Sequence, residues 1–512
     1  MRQLPFPLSV LSSLLTALYG MFRKDPQEFQ FKIRERLRLA GIPILSRILN
    51  KNPRRQPTPS LQRELLKKGH LSEAAAYNQD DKNENLSRHA ADILGQLNMQ
   101  ISHAAIEPDT CSSSGEEQPR KPQRILFYLT NSLPHTHSGY TERSHKILKS
   151  LAEKGVEVHA VTRIGYPLIV GRLPHRRIET IDGVTYERLI PPLFPKDLKT
   201  RNKMAVDMLV YAARRFRPDV IQTTTDYKNA IVVSCAANIL GIPWIYEVRG
   251  QLESTWLSRF PADQQKEAAN SEFYTLAREQ ETEAMKAASA VISLSDTSKK
   301  EMTTRGIDPA KIHVIPNSVD ESLIGMKYDQ EEIRKELGLP NTTIIGTVTS
   351  VVGYEGLDDL IYATETLPNV TCLIVGDGTA RPELERLVRD LKLEGRVIFT
   401  GHQPRNTIWK WYAALDIFVM PRKSTRVTRV VTPIKPLIAQ ALGKPVIASD
   451  LPALREVTGG LETYVQPESP LQLSRAIIRS ERSSRTKHYE WITQRTWSSA
   501  ADKLSEVFDT LS

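Results

Sequence analysis

Cysteine is scarce: the 512 residues hold three, Cys111, Cys235 and Cys372, widely spaced and without a Cys-x-x-Cys. That speaks against a disulfide framework and a thiolate zinc site, and makes a reducing, cytoplasmic setting the default. No Gly-x-Gly-x-x-Gly follows a predicted strand, so a nicotinamide dinucleotide site is not expected. No Asp-x-Asp stands at a strand end to hold a metal. A long unbroken apolar run is also missing. Leu4 to Phe22 is apolar but interrupted by two prolines and several serines and threonines, which makes it short for a membrane span. With only Arg2 before it and no Ala-x-Ala-like site after it, it is a poor signal peptide. The basic end lacks interleaved aromatics, so no nucleic-acid partner is expected.

What is present is positive charge, unevenly placed. Of the formal net charge of +10, residues 1–60 carry +8, from eleven Lys and Arg against three Asp and Glu. This basic, apolar segment has two readings: a membrane-surface element with cations on anionic lipid, or a helical hairpin packed on the main body or a partner. Residues 61–123 read as a helical segment followed by a linker. GHLSEAAA resembles part of a tetratricopeptide unit, and one such unit makes no solenoid. IEPDTCSSSGEEQPRKPQR has linker composition, so a domain is expected to begin at 124.

From there strands and helices alternate. RILFYL enters a polar loop holding Gly139, a helix with Ile147, Leu148 and Leu151 on one face follows, and VEVHAVT is the next strand: the opening βαβ of a Rossmann-like sheet. Gly139 would let a ligand approach the backbone. RPDVIQTTT, PWIYEV and SAVISLS supply further strands, and KIHVIPNSVD closes a first domain at 320. A second series covers 321–484, with TTIIGTVTS, TCLIVGDG, RVIFTG, DIFVMP and PVIASD as strands. The expected fold is α/β, two Rossmann-like domains facing a cleft, preceded by a helical basic extension.

Trp411 to Val457 is the stretch most suited to a ligand. Between its two buried strands lies a loop with Arg422, Lys423, Arg426 and Arg429, leading to a helix whose expected cap is Thr432, with Pro433 first in the helix, Lys435 in its first turn and Gly443 as its stop. Cations beside the free amides of a helix start suit an anionic group.

The order SGYTERSHKILKSLAEKGVEV, PWIYEVRG, ASAVISLSD, VIPNSVD, LIVGDGTARPELERL and TPIKPLIAQALGKPVIASD resembles the GT-B glycosyltransferases of family four, over roughly residues 124–512. The resemblance implies two Rossmann-like domains, acceptor mainly on the first and nucleotide sugar mainly on the second, with a last helix, within 485–512, crossing back. It implies hexosyl transfer with retention from a nucleoside diphosphate sugar to a glycan or lipid-linked acceptor, in cell-surface polysaccharide or glycoconjugate synthesis; the basic N-terminal segment adds the expectation of a cytoplasmic protein peripheral at the inner face of the membrane. The donor is a substrate; no cofactor and no metal are implied.

The chain departs from the family at the donor site. The positions that carry an Arg and a Lys for the diphosphate align with Ser350 and Glu355. The second of two donor-helix glutamates aligns with Ile438, the first with Val430 or Arg429, and the acceptor-domain histidine with Arg249. The expected catalytic cations are therefore Arg249, Arg422 and Lys435, stabilising the leaving diphosphate. The expected donor-binding residues are Gly139, Ser350, Gly376, Asp377, Gly378, Arg429, Thr432, Ile438 and Glu456. The alternative is a catalytically silent glycosyltransferase-like binding subunit.

Overall fold

The computed structural model describes residues 61–77, 84–103, 124–261, 263–480 and 485–511, together with Val10 and Thr16. The expectations for the basic segment 1–60 and for the linker before residue 124 fall outside the described residues. Chain contacts divide the protein into two compact units, residues 1–291 with 508–512, and residues 292–507.

The first unit begins with helices α1 (Leu61–Lys68), α2 (Leu71–Ala76) and α3 (Glu84–Leu97). Its strands are β1 (Arg124–Leu129), β2 (Glu157–Thr162), β3 (Ile178–Ile181), β4 (Val184–Arg188), β5 (Val220–Thr224), β6 (Trp244–Val248) and β7 (Ala290–Ser293), the division between units falling within β7. With β8 (Ile312–Val314) they form a sheet of order β3-β4-β2-β1-β5-β6-β7-β8. β4, β2, β1, β5 and β6 pair in parallel, and β3 runs antiparallel on β4. The central strands are apolar runs because helices cover both faces of a parallel sheet. β1 has Ile125, Leu126 and Phe127 fully out of water.

Three helices matter for the sites of this unit: α4 (Gly139–Glu153), α5 (Leu198–Phe216) and α6 (Tyr227–Leu240). α4 starts at Gly139 behind a capping box in which the Ser138 hydroxyl accepts from the Thr141 amide, and its apolar face, Ile147, Leu148 and Leu151, is buried as the spacing predicts. The helical segment ahead of residue 124 is fastened to this unit by specific bonds. The Ser72 amide and hydroxyl donate to the Glu272 carboxylate at 2.6 and 2.5 Å, the Asn202 amide donates to the Met99 sulfur, and the Ser102 amide donates to Ser234 Oγ at 3.3 Å.

The second unit is built on β9 (Thr343–Val348), β10 (Val370–Val375), β11 (Val397–Gly401), β12 (Ile417–Met420), β13 (Val446–Ser449) and β14 (Thr463–Val465). They form a wholly parallel sheet of order β11-β10-β9-β12-β13-β14, with separate apolar clusters on its two faces. The order reverses beside β9, and in such open sheets the crevice outside the strand ends at the reversal is where ligands bind. Among the described residues no helix is long and apolar enough to cross a membrane.

The expected helix of the 411–457 stretch differs in its start. A short helix α7 (Arg426–Val430), capped by Thr425, comes first, and the next helix α8 runs Lys435–Ala441 with Ile434 before it and Pro436 in its first turn. Thr432 therefore caps nothing. The rigid ring of Pro436, and not that of Pro433, occupies the first turn, where its missing N–H costs no bond. Gly443 follows as expected, at φ +69°.

Candidate functional site

In the second unit the expected site residues gather at the strand ends beside β9. The centre of the cluster is a carboxylate. Glu355 lies in the loop after β9 and is 3% exposed. Arg422, just past β12, gives it Nη2 at 2.9 Å and Nε at 3.3 Å, and Lys435 Nζ reaches the same Oε1 at 2.9 Å. Arg422 also donates to the Val431 carbonyl at 3.3 Å, and Lys435 donates to Thr349 Oγ1. Burial alone would raise the Glu355 carboxyl; the two cations outweigh it and hold it at about 2. Burial pushes the Lys435 ammonium down, and Glu355 opposes that.

The loop is less cationic in space than in sequence. Lys423 pairs with Asp358 at 2.5 Å and Arg426 with Glu301 at 3.6 Å, so the five cations from Arg422 to Lys435 face three carboxylates. Arg429 is exposed and donates to Ser424 Oγ at 3.3 Å. The Lys423 amide also bonds the Tyr354 carbonyl, which clamps the loop to the segment that carries Glu355.

The remaining donor-site residues divide into those beside this cluster and those explained by packing. Thr432 is 5% exposed; its carbonyl accepts from Asn317 Nδ2 at 2.9 Å, while its hydroxyl is buried without a partner among the described residues. A buried hydroxyl left so is a position where a ligand atom would satisfy it. Ser350 is exposed, and its carbonyl accepts from the Val352 amide. Gly376 and Gly378 are required by the fold: an added Cβ would come within 1.8 Å of the Thr349 carbonyl oxygen and 2.3 Å of that of Val351. Asp377 accepts from the Gly378 amide at 2.8 Å and from Arg381 at 3.5 Å. Ile438 packs, half-buried, on the core under β12 and β13. Glu456 accepts the amides of Asp296 and Thr297 at 2.5 and 2.9 Å, a carboxylate on the first turn of a neighbouring helix, Asp296–Thr304.

In the first unit Arg249 is buried and tied inward. Its Nη2 donates to Glu247 at 2.6 Å, and its Nη1 to the Tyr140 carbonyl at 2.8 Å and to Ser144 Oγ at 2.7 Å. Glu247 also accepts from Arg143 at 2.7 Å and Gln222 at 3.2 Å. Burial would raise its carboxyl; Arg249 and Arg143 hold it at about 2. Arg249 lines a pocket of about 280 Å³ with Asn131, Ser138, Tyr140 and Asp226. Gly139 is at the exposed start of α4 nearby, and a Cβ there would meet open space.

Sequence reasoning did not find Glu355 as the meeting point of Arg422 and Lys435, nor Arg143 and Glu247 as the support of Arg249. A signal for the second existed. Glu247 and Arg249 are two apart at the end of an extended run, so their side chains leave on the same side.

Comparisons with known proteins agree with this architecture. Residues 138–318 match the family described as Glycosyl transferase 4-like domain and residues 329–498 that described as Glycosyl transferases group 1, together more than half of the chain. The 2-deoxystreptamine glucosyltransferase of Streptomyces kanamyceticus is 25% identical over 54% of this chain and 73% of its own. The lipopolysaccharide core biosynthesis mannosyltransferase LpsB of Rhizobium meliloti is 31% identical over 29% of this chain and 44% of its own. Among solved structures, sucrose-phosphate synthase from Thermosynechococcus elongatus superposes with a TM-score of 0.62 at 19% identity, over 76% of this chain and 99% of its own. HepE of Anabaena in complex with UDP-glucose does so with a TM-score of 0.59 at 19% identity, over 76% and 100%. At such identity the structures establish the fold, and the matched families establish the kind of enzyme. With two parallel-sheet α/β units and both families matched in order, the chain belongs to the GT-B glycosyltransferases of the family-four type.

Proposed function

We propose that this enzyme transfers a hexosyl group with retention from a nucleoside diphosphate sugar to a glycan or lipid-linked acceptor, in the synthesis of a cell-surface polysaccharide or glycoconjugate. The observation that carries the donor side is the convergence of Arg422 and Lys435 on Glu355 at the ends of the second sheet, which leaves one net positive charge next to the unpartnered Thr432 hydroxyl. When the bond from sugar to diphosphate breaks, negative charge grows on the leaving oxygen, and cations fixed beforehand stabilise it without reorganising. Lys435, the more accessible of the two, supplies the charge; Arg422 holds Glu355 and sets the position of Lys435. Ser350, Arg429 and the backbone around Gly376 to Gly378 form the rest of the donor site in the second unit, and no cofactor or metal takes part. The names of the relatives support this reading, as they include a glucosyltransferase and a mannosyltransferase, and a solved neighbour holds UDP-glucose.

A panel of nucleotide sugars, each incubated with the purified full chain and glycan or isoprenoid-linked acceptors, tests it. Release of UDP or GDP with one donor, and a product anomer that matches the donor by NMR, are expected. An inverted product overturns retention; the absence of binding by every nucleoside diphosphate would leave the silent binding subunit as the reading. For the basic segment 1–60, association with the inner membrane surface is proposed from its charge of +8, at about 1 kcal/mol for each cation near anionic lipid. Replacing Arg36, Arg38, Lys51, Arg54 and Arg55 by Gln should abolish salt-sensitive sedimentation with anionic vesicles, and unchanged sedimentation removes the idea.

A further inference from the structure

A second cavity of the first unit, of about 590 Å³, is used by neither site above. It adjoins the Arg249 pocket only through Thr130 and Asp226. Its described lining comes from the chain at and just past the ends of β1 and β2, the segment leading into α5 and α5 itself, the first turns of α6, Thr16, and α3 from the segment ahead of residue 124, which presents Arg88, Asp92 and Gln96. The volume is that of sites for drug-sized molecules.

The lining combines cations with an apolar floor. Arg88, Arg163, Lys196, Arg201 and Lys228 stand against Asp92, Asp197 and Asp226. Asp197 accepts from the Thr200 amide at 2.8 Å and Asp226 from Lys228 at 3.1 Å. Arg163 and Arg201 are the informative pair. Their guanidinium hydrogen bonds go to neutral groups: Arg163 to the Asn131 side chain at 3.1 Å, Arg201 to the Pro195 and Lys196 carbonyls at 3.3 and 3.5 Å. In each the Nε is buried without a partner among the described residues. Burial is the main influence on both and pushes them down, opposed by Asp226 for Arg163 and by Asp92 and Asp197 for Arg201. Two half-buried guanidiniums, neither forked onto a carboxylate among the described residues and that of Arg201 lying over the Phe194 ring at 4.9 Å, would be stabilised by an anion that meets them, and their planar forks suit phosphate oxygens. Ile164, Ile169, Phe194, Ala205 and Val232 line the same space, so the anion has an apolar body.

We propose that this cavity binds a phosphate ester with an apolar body, its phosphate taken by Arg163 and Arg201, and that α3 is a wall of the site. An isoprenoid phosphate lipid and a soluble aryl phosphate share this chemistry. The site is independent of the donor reading, because its residues all belong to the first unit.

Calorimetry of the full chain with geranyl phosphate, phenyl phosphate, geraniol and inorganic phosphate tests it, with UDP titrated separately as the probe of the donor site. One of the two esters is expected to bind at one site, at least tenfold more tightly than geraniol or inorganic phosphate; preference for geranyl phosphate identifies the lipid source, preference for phenyl phosphate the soluble one. Arg163→Gln and Arg201→Gln should each weaken it tenfold or more, while Lys203→Ala, on the exposed face of α5, should not. Ile169→Trp, which fills the cavity and keeps every charge, should also block binding, and decides the matter if an arginine variant fails to fold. Failure of both esters to bind, equal binding of geraniol or inorganic phosphate, or wild-type affinity in the folded variants overturns the proposal. Loss of UDP binding with ester binding intact would refute the donor reading alone.

Discussion

Glu355→Gln tests the charge arrangement of the second unit most directly, because it alters stability and ligand affinity in opposite directions. The carboxyl is held at about 2 against an ordinary 4.5, a difference that corresponds to about 3 kcal/mol of stability. The sign follows from the depressed value: the contribution is complete above pH 4.5 and is lost as pH falls toward 2. Glutamine keeps the shape, removes that stabilisation at pH 7, and leaves Arg422 and Lys435 facing each other with a charge of +2 instead of +1. Breaking a buried pair from one side typically costs about 3–5 kcal/mol, which agrees with the linkage figure. A diphosphate that reaches this cluster would replace the lost carboxylate. One unit charge about 6 Å away at an effective dielectric of about 20 amounts to about 3 kcal/mol before screening, so a gain of roughly tenfold in UDP affinity is a conservative expectation. The gain should be smaller for UMP. Chemical denaturation at pH 7 and at pH 3, with calorimetry of UDP and UMP, measures both effects. A stability loss below about 1 kcal/mol at pH 7, or UDP affinity unchanged within twofold, would refute the reasoning, the first by showing that the pair is not closed and the second by moving the diphosphate away from it.

Arg422→Ala should weaken UDP binding several-fold through release of Glu355, whereas Lys423→Ala, whose partly exposed bond to Asp358 lies to one side, should change it less than twofold; calorimetry on the pair checks this. In the first unit Glu281 is buried and accepts from the Tyr227 amide and the Tyr246 hydroxyl at 2.8 and 2.6 Å. Burial, then Asp226 and Glu253, raise its carboxyl to about 8. A raised carboxyl stabilises fully below pH 4.5 and loses that contribution as pH rises through 8, so Glu281→Gln should raise Tm at pH 9 relative to wild type and change it little at pH 5. Ile438→Glu, which restores the carboxylate of the family pattern, should lower Tm by several degrees without raising turnover, since it places a charge against the core beneath β12 and β13; a rise in both nucleotide affinity and turnover would show that the pocket retains the family geometry.

The fold was legible because its elements announce themselves locally. DIFVMP and PVIASD read as buried parallel strands and are β12 and β13; the Gly139 helix has the apolar face its spacing implies. The cap of α8 was misread for an equally local reason. Thr432-Pro433 and Ile434-Lys435-Pro436 offer two helix starts four residues or fewer apart, each with a proline, and the separate α7, held by the Thr425 and Thr428 hydroxyls, decides between them. No spacing rule weighs that.

The candidate site was legible in its cations and not in its anions. Arg422 and Lys435 stand thirteen residues apart in one loop, so a linear reading finds them together and assigns them to a ligand. Glu355, which meets both, and Asp358 and Glu301, which meet Lys423 and Arg426, come from other segments and reach this loop only through the fold of the unit. At the position where the resemblance places a lysine, this chain has the carboxylate on which two other cations close, so the cluster carries one net positive charge, supplied by Arg422 and Lys435 from the segments past β12. In the proposed donor reading that net charge meets the diphosphate. The arrangement is reversible, because departure of the diphosphate returns the two cations to Glu355. In the donor reading proposed above, release of a nucleoside diphosphate after each transfer gains from a carboxylate that competes for the cations holding its phosphates, and Glu355 is the group that would displace the product.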